Sequence, residues 1–241
     1  MTSLLAAVGL TSGARPLDAA GVAVSDAPPS SQLRWGEVRA AVQVARVLAA
    51  APRLALAPRG DGGVVVDVPG WRAPEASGAP IRAYLRSLGH DARPWGLGTN
   101  HGSVGGDVDA LAVTVARLAR ESGRPVALVG WSLGGVIARE VARLRPADVR
   151  AVVTYGSPVL GGPTIAPHLA GRHDAVRTPV TAIVSRRDGV VDWRACVDRR
   201  SSAVEHVEVG STHLGMVLDP DVWAVVADRL GRVVPRTVAK P

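Results

Sequence analysis

Ser132 sits in the run Gly130-Trp131-Ser132-Leu133-Gly134-Gly135, with one glycine two residues before it and another two residues after it. A serine hydroxyl is a poor nucleophile until a base takes its proton, and that base must itself be held by an acid. The charge-free run Val126 to Val129, followed by apolar positions at Leu133, Val136, Ile137, Val141 and Leu144, predicts a buried strand, a sharp turn and a helix. In such a turn the serine is driven toward positive φ, which a Cβ disfavours, and side chains at 130 or 134 would collide with the packed strand and helix. Ser132 then stands clear at the start of the helix. The Leu133 N–H has no helical partner there and lies at the positive end of the helix, where it can stabilise an oxyanion. The plainer alternative is a serine that caps an ordinary strand-to-helix turn.

A base has to come from six histidines. His206 lies inside an expected strand, and His90 precedes one. His213, in Gly210-Ser211-Thr212-His213-Leu214-Gly215, follows the last expected strand and is the candidate base. His101, His168 and His173 fall in loops at the same edge and are candidates for substrate contact. For the acid, Asp188 follows the apolar strand Val180 to Ser185, and Gly189 permits a tight turn behind it. Asp192 is its rival, or else the N-cap of the segment that follows. A second oxyanion donor is expected from the loop after the first core strand, where Pro69-Gly70-Trp71 makes the Trp71 N–H the candidate.

The elements that must carry these residues alternate. Met1 to Ser31, rich in Ala, Gly, Ser and Pro, reads as a loosely ordered arm, and residues 32–241 as one domain. Helical spacing runs from about Leu33 to Ala51, read as a helix packed on a sheet, with a cationic membrane-surface helix as the alternative. Strands are expected at Val64 to Val68, Ala92 to Trp95, the run before Ser132, Val149 to Tyr155, Val180 to Ser185 and Val204 to Val209. Helices are expected at Ile81 to Leu88, Val108 to Ser122, after Ser132, and Pro220 to Leu230. Six strands alternating with helices, several of them continuous apolar runs, predict an α/β architecture with a mostly parallel sheet covered on both faces. Ligands of such sheets bind at the carboxyl ends of the strands.

Composition excludes several classes. The 241 residues are 47% hydrophobic and 20% charged, ordinary for a globular protein. The net charge of +7 does not read as a nucleic-acid surface, because 27 of the 28 cations are scattered arginines without a basic block or interleaved aromatics. A single cysteine, Cys196, rules out an internal disulfide and reads as a passive thiol, and no Cys/His spacing suggests a metal. No run of about 18 apolar residues is present, and the first ten residues lack the basic start of a signal peptide, so a cytoplasmic location is expected, without membrane insertion.

With these residues in place, the chain resembles the α/β-hydrolase family, and within it the compact bacterial lipases and esterases, over about Val64 to Leu230. The carriers are Val68-Pro69-Gly70-Trp71, Gly130 to Gly135, Thr154-Tyr155-Gly156-Ser157-Pro158, Asp188 with Gly189-Val190-Val191, and Ser211-Thr212-His213. The resemblance implies the α/β-hydrolase fold, the chain order Ser132, Asp188, His213, and hydrolysis of a small-molecule or lipid ester through an acyl-enzyme, with no cofactor. Trp71, Trp131, Val159 and Leu160 are the expected substrate contacts, with simple packing the alternative for both tryptophans. Two features depart from the family pattern: Pro69-Gly70 stands where lipases usually have His-Gly, and Trp131 where they usually have His. Neither side chain enters the mechanism, so these changes bear on the substrate. Between Gly156 and Pro179 there is room for little or no cap domain, which implies an open site. The family's first two strands are missing, with the helix near residue 40 in their place. An acyltransferase would carry the same triad, and a non-catalytic binding protein on the same scaffold is the reading from another class. Association of the arginines with an anionic lipid surface would be compatible with either enzyme.

Overall fold

The computed structural model describes residues 14–17, 42–159 and 175–232. Among them, seven strands form one sheet in the order β1-β7-β6-β5-β4-β2-β3. In chain order the elements are β1 (Arg15–Pro16), α1 (Val42–Ala55), β2 (Val64–Val68), α2 (Ala79–Ser87), β3 (Asp91–Pro94), α3 (Val104–Ser122), β4 (Val126–Trp131), α4 (Leu133–Leu144), β5 (Val149–Tyr155), β6 (Val180–Val184), β7 (Val204–Glu208) and α5 (Pro220–Arg232). Short 3₁₀ turns at Glu75–Gly78, Trp193–Cys196 and Gly215–Leu218 fill the connections.

Strands β2 to β7 pair in parallel, as their continuous apolar runs require when both faces are covered. Side chains alternate across the sheet, so Val65, Ala127, Val129 and Val153 pack with α1, α2 and α5 on one face. Val64, Val66, Val68, Leu128 and Val152 pack with α3 and α4 on the other. Every residue of β2 and β4 is buried. The chain builds outward from β2 to β3, then returns to place β4 on the opposite side of β2. This reversal opens a crevice at the carboxyl ends of β2 and β4, the position where open parallel sheets bind ligands.

The six strands expected from sequence are present, and a seventh joins them. The two residues of β1 pair antiparallel with β7, and the Leu17 N–H donates to the His206 carbonyl at 2.9 Å. Apart from residues 14–17, the expected arm lies outside the described residues, as does the start of the first helix. That helix runs four residues past the Ala51 end read from sequence. Pro52 is tolerated because it lies on the exposed side, where the carbonyl left without a partner can reach water. No helix among the described residues is long and apolar enough to cross a membrane.

Candidate active site

Ser132 is the first residue past β4 and immediately precedes α4, with φ 52° and ψ −122°. Its own N–H donates to the Tyr155 carbonyl at 2.9 Å, which ties the turn to the neighbouring strand. The expectation about the flanking glycines holds. A Cβ on Gly134 would press into the carbonyl oxygens of Val68 and Pro69, and one on Gly130 would press into the backbone of Gly134 and Gly135. Gly135 is equally confined, against the Ser157 side chain. Strand, turn and helix are therefore in backbone contact, and that contact holds Ser132 in a φ region its Cβ disfavours.

Asp188 and His213 meet at the same edge, although they lie 25 residues apart. The Asp188 Oδ2 is 2.7 Å from the His213 Nδ1, and both residues are only 3% exposed. The other carboxylate oxygen, Oδ1, accepts the N–H groups of Val190 and Val191 at 2.8 Å each. One oxygen thus holds the acid in its loop, and the other is left to orient the imidazole. With a carboxylate on Nδ1, the proton of the neutral ring resides there and the basic lone pair is on Nε2. Gly156, at φ 59°, passes beneath this pair: a Cβ there would lie 3.1 Å from the His213 Nδ1 and 3.2 Å from the Asp188 Oδ2. The two loops are also joined directly, since the Ser185 hydroxyl donates to the Ser211 carbonyl at 2.6 Å and accepts the Arg187 N–H at 3.0 Å.

Asp192, the rival acid, instead caps the following turn by accepting the Arg194 N–H at 3.0 Å. His206 accepts the Asp198 N–H through Nε2 at 2.9 Å and is buried in the sheet face, away from the crevice. His90 is buried at the opposite end of the sheet, against Gly60. Cys196 is fully enclosed. Burial, with the carboxylates of Asp188 and Asp192 adding to it, pushes its thiol well up, so it stays protonated and inert. His101 is exposed on the loop after β3, next to the crevice. Among the described residues, no group of three His, Cys, Asp or Glu side chains is arranged to hold a metal ion.

The loop after β2 forms the other wall. The Trp71 and Leu133 N–H groups make no hydrogen bond to protein among the described residues, unlike the Arg72 N–H, which donates to the Asn100 carbonyl at 2.7 Å. Trp71 projects from this loop with 61% of its surface exposed. Trp131 is buried in the core: a Cβ on Gly70 would come within 2.8 Å of its ring, and its ring centroid is 5.4 Å from that of His213. The absence of a side chain at Gly70 thus lets the loop lie on the indole that backs the imidazole. Val159 is half-buried, its N–H donating to the Ala195 carbonyl at 2.7 Å. Leu160, His168 and His173 lie outside the described residues.

Several solved structures share this arrangement of sheet and helices. A lipase-esterase related protein from Clostridium acetobutylicum superposes with a TM-score of 0.57 at 14% identity, over 73% of this chain and 98% of that one. Lipase B of Aspergillus fumigatus gives 0.56 at 18% identity over 72% of this chain, and the match spans only about half, 53%, of the lipase. The mouse alpha/beta hydrolase domain-containing protein 10 gives 0.55 at 16% identity, over 73% and 92%. This chain has the α/β-hydrolase fold.

No protein-family profile and no curated protein sequence matches the chain. Within the α/β-hydrolase fold, the described residues form no cap over the carboxyl edge. Sequence reasoning missed three groups that shape this edge: Ser185, Ser211 and Asn100. None carries a local signal, because each acts through hydrogen bonds to a distant loop.

Proposed function

We propose that the chain is a serine hydrolase that cleaves carboxylic esters. The observation that carries this reading is the buried Asp188–His213 pair at the same sheet edge as a serine held at positive φ. Strain and a buried, doubly anchored carboxylate are costly features with no evident structural use there. In the proposed cycle, the Ser132 Oγ attacks the ester carbonyl carbon while the His213 Nε2 takes the hydroxyl proton. The carbonyl oxygen, now anionic, is met by the Leu133 and Trp71 N–H groups. The C–O bond to the alcohol breaks, and the imidazolium gives its proton to the leaving oxygen. Water, deprotonated by Nε2, attacks the acyl-enzyme; the acid departs and the proton returns to Ser132. Asp188 stays ionised throughout and stabilises the imidazolium.

The rim favours an accessible ester with an apolar acyl part. Of the large hydrophobic side chains that are exposed among the described residues, Trp71, Leu97, Val190 and Leu214 all stand on strand-end loops around the crevice. Exposed Arg72 adjoins Trp71, and Arg187 is exposed on the loop that carries Val190; such a rim would also suit an ester presented at an anionic surface. The test is turnover of p-nitrophenyl esters of increasing acyl length by wild type and by Ser132→Ala. Turnover is expected in the wild type and absent in the variant, with the best chain length sizing the acyl site. Equal inactivity of both across the series would overturn the hydrolase reading. Formation of an acyl-enzyme that only an added alcohol or amine discharges would replace it with acyl transfer.

A further inference from the structure

Within the described residues, Arg72 is the one non-glycine residue besides Ser132 at positive φ, at 58°. It is the third residue of the turn Gly70 to Ala73, closed by the Ala73 N–H donating to the Gly70 carbonyl at 3.1 Å. A positive φ at that position normally selects glycine, so something outside the turn must impose it. Asn100 is the candidate. It is 0% exposed at the end of the glycine-rich loop after β3 and bonds the turn from three sides. Its Nδ2 donates to the Pro69 carbonyl at 2.8 Å, its main-chain oxygen accepts the Arg72 N–H at 2.7 Å, and its N–H donates to the Ala73 carbonyl at 3.0 Å. Its Oδ1 accepts the Gly102 N–H at 3.0 Å, which brings Gly102 beneath the Trp71 ring.

The peptide planes explain what this achieves. The Trp71 N–H belongs to the Gly70–Trp71 plane. The Pro69 carbonyl belongs to the plane before it, and the Arg72 N–H to the plane after it. Asn100 bonds both neighbours, and the plane's own carbonyl oxygen, on Gly70, accepts the Ala73 N–H within the turn that Asn100 holds in shape, so the plane between them is held although its own N–H is left without a protein acceptor. We infer that Asn100 is a positioning residue for the second oxyanion donor: it fixes the direction of the Trp71 N–H without touching substrate. This inference rests on the ester-hydrolase reading of the same site.

The test uses Asn100→Ala and Asn100→Asp, with rates normalised to the fraction of Ser132 labelled by a fluorophosphonate. Loss of a whole oxyanion donor lowers kcat about 10²- to 10³-fold, so loosening one is expected to lower kcat of Asn100→Ala about 10- to 100-fold, with KM nearly unchanged. Asn100→Asp supplies a readout that general damage would not give. A protonated carboxyl can donate to the Pro69 carbonyl as the amide does, whereas a carboxylate cannot, and burial raises the pKa of such an acid. The ratio of its kcat to that of wild type should therefore approach one at low pH and fall as pH rises. Dividing by wild type cancels any pH dependence that the two enzymes share. Unchanged kcat in Asn100→Ala, or a loss confined to KM and to the labelled fraction, would overturn the inference, and so would a pH-independent ratio for Asn100→Asp. Amide exchange of residues 69–73 separates the two readings. If wild-type Ser132 is not labelled at all, the hydrolase reading fails, whereas faster exchange in Asn100→Ala would still show that the clamp exists. Unchanged exchange would remove it.

Discussion

The two walls of the crevice each hold one residue at positive φ, but they hold it by different means. At Ser132 the constraint is steric: Gly130 sets β4 against the backbone of α4, while Gly134 and Gly135 set α4 against the end of β2 and the Ser157 side chain. At Arg72 the constraint is a set of hydrogen bonds from Asn100, whose side chain reaches back 31 residues to Pro69. A collision cannot be relieved without moving a strand, whereas hydrogen bonds can be broken one at a time. The first wall should therefore fail abruptly and the second gradually.

The sharpest way to break this contrast is to add one methyl group to each wall. In Gly134→Ala, the Cβ would meet the carbonyl oxygens of Val68, the last residue of the central strand β2, and of Pro69 just past it, and the strand end cannot retreat. We expect a loss on the order of 3 kcal/mol or more in denaturant unfolding, and no measurable turnover. In Gly70→Ala the Cβ would meet the Trp131 ring at 2.8 Å, and a ring can shift. The expected cost is about 1–3 kcal/mol, with activity reduced but present, because the displaced indole presses on His213. If Gly70→Ala proves the more damaging of the two, the distinction between a rigid and a yielding wall is wrong.

The strands beneath the walls differ in charge as well. β4 carries no ionisable side chain, whereas β2 buries Asp67 against Arg82 at 2.7 Å. Burial raises the Asp67 carboxyl to about 6, with Arg82 opposing it. A folded pKa above the unfolded value means that the native state binds more protons between about pH 4 and 6. The stability from this group is then complete below pH 4 and lost as pH rises through about 6. The stability of wild type minus that of Asp67→Asn should therefore decline by about 1–3 kcal/mol from pH 4 to pH 7. His90 and His206, both lowered chiefly by burial, act in the opposite sense: their stability is present above about pH 6.5 and lost on acidification. The subtraction removes them. A difference that is flat or rises with pH would mean that Asp67 is ionised throughout the range.

The same contrast explains what the sequence could reveal. The elbow was legible because its glycines and serine lie in six consecutive residues with a strand pattern before them and a helix pattern after, although Val68, Pro69 and Ser157, which confine Gly134 and Gly135, lie elsewhere in the chain. Asp188 and His213 were legible because each follows a strand, which places both at one edge before any contact is known. Asn100 left no local signal, since a buried amide and an exposed loop amide look the same in sequence. Ser185 and Ser211 were hidden for the same reason: their bond joins two loops 26 residues apart. The edge strand β1 left no signal because two residues show no periodicity. Its place is set by β7, by the ion pair of Arg15 with Glu208 at 2.9 Å, and by the Leu17 N–H.

The smallest expected effect tests the second wall with its clamp intact. Arg72 is exposed, its guanidinium 5.3 Å from the Trp71 ring centroid, and its backbone occupies a conformation that glycine adopts without penalty. Arg72→Gly removes the steric cost of positive φ, loses a weak contact with the indole, and adds freedom to the unfolded chain. These terms nearly cancel, leaving a net gain of about 0.5 kcal/mol, or roughly 1–2 °C in Tm for a chain of this size. Because Asn100 still holds the flanking planes, kcat should not change. Ser132→Gly relieves the same kind of strain at the other wall and should give a similar gain, but with complete loss of turnover. If Arg72→Gly lowers kcat while Tm rises, the strain at Arg72 is itself part of how the Trp71 N–H is aimed, and the two walls are more alike than their contacts indicate.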